Sequence, residues 1–240
     1  MSLIVEDLVL LTLDRSGEPV RGLRDASRRD VLMRGALLAE LGLNGAVELR
    51  KSGRWSRFKV LPADSELPEN KHLRQMYEHV ITRPRTAQRV VKNVFAGQRT
   101  HVFDDLADGL VQRRVLGREV RTSLISIRTA WPTIDPQPRQ GVWVQVAEVL
   151  LGTATPDQRT GTLIALISAT DQAHRLFTSP AVSSRSIRRR ALQISQADWA
   201  ASAVRQTIVA TRNGVAASGA GFDGWGGDGG GGGDGGGSGG

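Results

Sequence analysis

Apolar residues recur three and four positions apart in one segment after another, and alternate singly in only two places. The first pattern is satisfied by helices that bury one stripe, the second by half-buried strands. Ile4, Leu8 and Leu11 predict a helix over 2–13, with Glu6 and Asp7 in the first turn, where the helix dipole favours acids. Asp14-Arg15-Ser16-Gly17 stops it with turn chemistry. A second helix is predicted from Ser27, with Asp30 completing a partial capping box, to Leu41, ending at Gly42 or Gly45. Further helices are expected over 70–81, 86–96, 102–115, 140–151, 159–177, 184–194 and 198–212. The two exceptions read as hairpins. In one, Val47, Leu49, Trp55, Phe58 and Val60 alternate on either side of Lys51-Ser52-Gly53. In the other, Leu124, Ile125 and Ile127 lie among Thr, Ser and Arg between Glu119 and Ile134, and Trp131-Pro132 ends the run. The expected fold class is mainly α: a single compact multi-helix domain with two short β-hairpins.

The chain's last stretch cannot join that domain. From Gly219 to Gly240, 15 of 22 residues are glycine, too little apolar surface to offset the entropy of ordering them. A folded domain over 1–212 and a disordered Gly-rich tail over 213–240 are expected. Setting aside the tail aspartates Asp223, Asp228 and Asp234 raises the formal charge from +8 for the chain to +11 for the folded part. The cations are nearly all arginine, whose planar fork suits bidentate phosphate contact. A field of that sign draws phosphates, on lipid or on nucleic acid. Cysteine is absent, which excludes disulfides and thiolate metal sites. The start lacks a basic n-region and no run of about 18 apolar residues occurs. A cytoplasmic protein with only peripheral membrane contact is the expectation.

Catalytic signatures are missing: no Walker loop, nucleophile elbow or zincin helix occurs. His72, His79, His101 and His174 lack metal-site spacing, and Asp104, Asp105 and Asp108 read as acids balancing a helix N-terminus rather than as a cation site. No enzyme activity, metal or cofactor is expected.

Arg34 is the informative cation. At 100° per residue from Val31 it falls at about 300°, between Leu41 at about 280° and Leu38 at about 340°. An arginine on an apolar face needs a counter-charge. Either it pairs internally with an acid such as Glu6 or Asp7, or it reaches a pocket rim and takes a phosphate from outside. Other arginines cluster at Arg21, Arg24, Arg28 and Arg29, at Arg113, Arg114 and Arg118, in the second hairpin at Arg121 and Arg128, and at Arg185, Arg188, Arg189 and Arg190. An apolar hairpin tip flanked by arginines suits the lipid interface.

Over nearly all of residues 2–212 the chain resembles the Golgi phosphoprotein 3 family, in particular its shorter bacterial members of actinobacterial type. Leu8-Val9-Leu10-Leu11-Thr12-Leu13-Asp14 is similar to the family's first helix and turn, and Met33-Arg34-Gly35-Ala36-Leu37-Leu38-Ala39-Glu40-Leu41 followed by Asn44-Gly45 to its second. Glu78-His79-Val80, Arg85-Thr86-Ala87-Gln88, Leu163-Ile164-Ala165-Leu166-Ile167 and the Trp199 segment continue the series. The resemblance implies a helical domain that binds phosphatidylinositol 4-phosphate through a basic pocket and acts as an adaptor. It also implies a hydrophobic hairpin, near 119–134 here, that enters membranes and supports self-association. Arg34 falls on one of the family's lipid-binding arginines. The family's pocket tryptophan would fall near Leu23–Asp25, where none stands, and its arginine pair near Thr100 and Phe103. The lipid-binding candidates are therefore Arg34, Arg99 and Arg24, and the membrane-hairpin candidates Arg121, Leu124, Ile125, Ile127 and Arg128. The expected partners are anionic phospholipid or phosphoinositide headgroups and the membrane surface, not nucleic acid. The alternative is a DNA-binding regulator, because residues 27–61 also suit the helix and wing of a winged helix-turn-helix.

Overall fold

Asp25 starts the helix around which the other elements gather. Its carboxylate accepts the Arg28 N–H at 3.1 Å, capping α2, Ala26–Leu43. The cap thus lies two residues before the predicted Ser27, and Asp30 is not part of a capping box. From Arg29 to Leu41 every residue except Arg34 is buried. A helix enclosed on all sides has no face left to enter a DNA groove, and this speaks against the winged-helix alternative.

The computed structural model describes residues 2–51, 58–63, 66–82, 84–95, 101–122 and 127–196. The chain divides into Met1–Ile208 and Val209–Gly240, and every described residue lies in the first unit. The predicted helix over 198–212, the hairpin turn at Ser52-Gly53 and the tail fall outside the described residues.

Before α2 come α1, Ile4–Thr12, and a 3-10 turn, Arg21–Leu23. Two antiparallel strands follow, β1, Val47–Lys51, and β2, Phe58–Pro62, pairing Val47 with Pro62 and Lys51 with Phe58. Next are α3, Lys71–Thr82, α4, Ala87–Asn93, and α5, Val102–Gln112. The second hairpin is β3, Glu119–Thr122, with β4, Ile127–Ala130. The chain continues with α6, Gln137–Leu151, α7, Gln158–Ala169, α8, Ala173–Leu176, and α9, Ser184–Ser195. The architecture is mainly helical with two small antiparallel sheets, as the periodicity predicts.

One predicted helix, 159–177, is two. Asp171 adopts φ 58°, a left-handed conformation that ends α7 before α8 begins. Ile4, Leu8 and Val9 of α1, Leu32, Met33 and Leu37 of α2, and Ile164 and Leu166 of α7 form the middle of one core. No helix among the described residues is long and apolar enough to cross a membrane.

Candidate functional site

Arg29 is the deepest cation at the front of α2, only 8% exposed. Its Nη1 donates to the carbonyl oxygens of Leu23, at 3.0 Å, and Arg24, at 2.8 Å, closing the 3-10 turn onto the helix. The guanidinium stands 4.8 Å over the Phe103 ring of α5, and its Nη2 is 4.0 Å from Asp104 Oδ1. Burial pushes the Arg29 guanidinium below its ordinary value, while Asp104 and Asp30 pull it back. Burial likewise raises the Asp104 carboxyl, and the Arg29 charge opposes the rise. Neither group is fully satisfied: Arg29 Nε and Asp104 Oδ1 are buried without a hydrogen-bond partner among the described residues.

Above this pair opens a cavity of about 400 Å3. Arg29 and Trp131 line its depth, Arg24 and Arg128 its rim, and Glu18 and Asp104 supply two carboxylates. Trp131 donates its indole N–H to Asp108 Oδ1 at 3.3 Å and meets Phe103 edge-on at 5.5 Å between centroids. Two sequence candidates, Arg24 from the lipid-binding set and Arg128 from the hairpin set, thus line one hollow. Arg29 and Trp131 are not among the sequence candidates. The visible signals are the arginine cluster around Arg29 and a tryptophan that ends the predicted hairpin run.

The hairpin pairs Arg121 directly with Arg128. Like charges opposite one another repel, and here each is drawn elsewhere. Arg121 donates to the Ser16 carbonyl oxygen at 3.0 Å and lies 3.5 Å from Glu18 and 3.1 Å from Glu119. Arg128 turns to the hollow. Val120, on the same strand as Arg121, is 61% exposed. Leu124 and Ile125 fall outside the described residues, as does Arg99; Ile127 is the first residue of β4.

Arg34 lies apart from the hollow's lining. Its side chain is 15% exposed, and its Nη2 is 3.9 Å from Asp30 Oδ2, one turn back. Its Nη1 donates to the Lys92 carbonyl oxygen at 3.3 Å, and its Nε is buried without a hydrogen-bond partner among the described residues. Burial lowers its pKa and Asp30 opposes the shift. The internal acid beside Arg34 is thus Asp30, while the two acids named as examples are engaged elsewhere: Glu6 with Arg113 at 2.7 Å, Asp7 with Arg159 at 2.6 Å. Asp30 is a loose substitute, since it also accepts the Phe103 N–H at 3.3 Å and lies 2.8 Å from His101 Nδ1.

The remaining clusters divide between pairs and solvent. Arg118 meets Asp108 at 3.1 Å and Arg188 meets Asp171 at 2.8 Å. Asp104 and Asp105 occupy the first turn of α5, as a dipole-balancing role predicts. Among the described residues no three His, Asp or Glu side chains are grouped to hold a metal ion.

The arrangement is therefore an open basic hollow between α2, α5 and the base of the second hairpin, with a half-sealed arginine further along α2. No curated protein matches the chain. The Golgi phosphoprotein 3 (GPP34) family model matches residues 4–211, nearly the whole of the helical unit, and the chain belongs to that family.

Proposed function

We propose that this GPP34 protein is a non-enzymatic peripheral membrane protein that holds anionic phospholipid headgroups in the hollow rimmed by Arg24 and Arg128. Membership of the family points to phosphoinositide-type lipid binding in general. The observation that carries the reading here is the meeting of a loop arginine, a buried arginine and a hairpin arginine around one open cavity of about 400 Å3. Two exposed forks over a fixed third suit phosphate oxygens. Phosphatidylinositol 4-phosphate is the headgroup the family resemblance favours. Arg128 and Thr129 of β4 line the hollow, so a headgroup held there brings that strand to the bilayer. Self-association through the hairpin and an adaptor role extend the same reading, with the protein at the cytoplasmic face.

Sedimentation with anionic and neutral vesicles, run beside a duplex-DNA shift at matched salt, tests it. The protein should pellet with anionic vesicles only. Arg24→Ala with Arg128→Ala should weaken that binding about thirtyfold, from about 1 kcal/mol per arginine at the surface. Arg34→Ala should weaken it less and leave the fold intact, because Asp30 keeps its contacts with His101 and Phe103. Binding to DNA without binding to anionic vesicles would overturn the proposal.

A further inference from the structure

A second cavity, of about 180 Å3, lies between the end of α6 and the side of α9, and it shares no lining residue with the hollow. Leu150 and Leu151 of α6, with Val182, give it an apolar wall. The other wall is Ser186, Arg189, Arg190 and Gln193 of α9, whose spacing of three and four places them on one stripe of the helix. A stripe turned toward a neighbouring helix is ordinarily apolar. This one carries two guanidinium forks, an amide and a hydroxyl. Among the described residues no carboxylate lines the cavity.

The sequence supplies these cations with no acid nearby. None occurs from Gln172 to Ala197, and Asp171, just before that run, pairs with Arg188 at 2.8 Å. Neither Arg189 nor Arg190 forms an ion pair among the described residues, and Arg190 Nε is buried there without a hydrogen-bond partner. Arg190 lies against the end of α6. Gly152, the left-handed residue that closes that helix, leaves its Nη1 only 3.2 Å from the point a Cβ would occupy. The negative end of the α6 dipole offsets part of the Arg190 charge and supplies no full counter-ion. Size and donor count then define what fits. At about 30 Å3 per water the cavity has room for about six, which suits a phosphate group and its first carbons. One fork already satisfies the two oxygens of a carboxylate, whereas a phosphomonoester offers three acceptor oxygens to this larger set of donors. Its carbon side can face the leucines.

We infer that the cavity between α6 and α9 is a second anion site, which takes a phosphate group between Arg189 and Arg190. It stands independently of the headgroup reading above. Free phosphate or a small ester in solution and the phosphate of a lipid share this chemistry, and the test separates them.

The test uses the full chain carrying Arg24→Ala and Arg128→Ala, which removes the rim of the hollow and leaves the second site to be read alone. In titration calorimetry, inorganic phosphate and glycerol 3-phosphate should each saturate one site, and acetate none. Adding Arg189→Ala or Arg190→Gln should weaken that binding about tenfold, the scale of one hydrogen bond to a charged group. Ser186→Glu keeps both arginines but sets a carboxylate on their stripe, in the first turn of α9 where the dipole favours it. It should weaken binding by a similar factor, with thermal melting confirming the fold of each variant. Sedimentation with vesicles of phosphatidylcholine, alone or with phosphatidic acid, identifies the source. A loss seen in the titrations assigns the site to phosphate or a small ester in solution, and a loss confined to the phosphatidic acid vesicles assigns it to a lipid. Phosphate binding that is absent from both assays, that the added substitutions leave unchanged, or that acetate equals overturns the inference.

Discussion

Arg159→Ala should destabilise the protein by about 3–5 kcal/mol, the range for leaving a buried charge without its partner. Arg159 stands in the first turn of α7, and its Nη2 donates to Asp7 Oδ2 of α1 at 2.6 Å and to the Ser2 carbonyl oxygen at 2.6 Å. Its Nη1 lies 3.7 Å from Glu40 Oε1 of α2. Three helices therefore meet on one guanidinium. Asp7 and Glu40 are both buried, and Glu40 also accepts the Ile4 N–H. Removing the cation leaves two carboxylates that repel each other in the core. Burial already raises the Glu40 pKa above its ordinary 4.5, with Arg159 opposing and Asp7 adding to the rise. A raised folded-state value means stability that is complete below about 4.5 and is lost as pH rises through the folded value. Without Arg159 the folded value rises further, so the deficit of the variant is largest at neutral pH and shrinks on acidification. Urea unfolding at neutral and mildly acidic pH measures both. Arg113→Ala is the comparator: its pair with Glu6 is half-exposed at 51% on the arginine side, and its loss should cost under about 1 kcal/mol. Equal costs for the two variants would refute this account of the network.

That network also marks where sequence reading stops. The apolar stripes of α1, α2 and α7 are local patterns, and their positions are legible from spacing alone. Arg34 on the apolar face of α2 is legible for the same reason. Its partner is not. Glu6 and Asp7 lie at plausible positions on α1, but they are claimed by Arg113 and Arg159, 107 and 152 residues away along the chain. A contact over such a separation leaves no periodic trace. The split at Thr170-Asp171 is hidden differently: no glycine or proline marks it, because an aspartate takes the left-handed conformation itself. The hollow shows both cases. Arg24 and Arg128 were visible as clustered cations. Arg29 is one of four arginines crowding the loop and first turn of α2, and its burial and its seat over Phe103 distinguish it.

Gly17→Ala should cost about 2–4 kcal/mol and weaken vesicle binding with it. Two separate penalties add. At φ +78° an alanine pays the left-handed conformation, about 1–2 kcal/mol. Its Cβ would also lie 2.4 Å from the Pro132 nitrogen and 2.4 Å from the Trp131 carbonyl carbon, which are backbone atoms and cannot rotate away. The turn must lift from the end of β4, and the hydrogen bond from the Trp131 N–H to the Gly17 carbonyl oxygen lengthens or breaks. Trp131 lines the hollow and Glu18 sits at its rim, so the same displacement disturbs two walls of the site. Gly45 carries the first penalty alone. It too has positive φ, +69°, but a Cβ there meets nothing within 4 Å. Gly45→Ala should therefore cost only about 1–2 kcal/mol and leave vesicle binding unchanged. The difference between the two variants is the contribution of the docked turn. If they melt alike and bind alike, the turn does not brace the hollow.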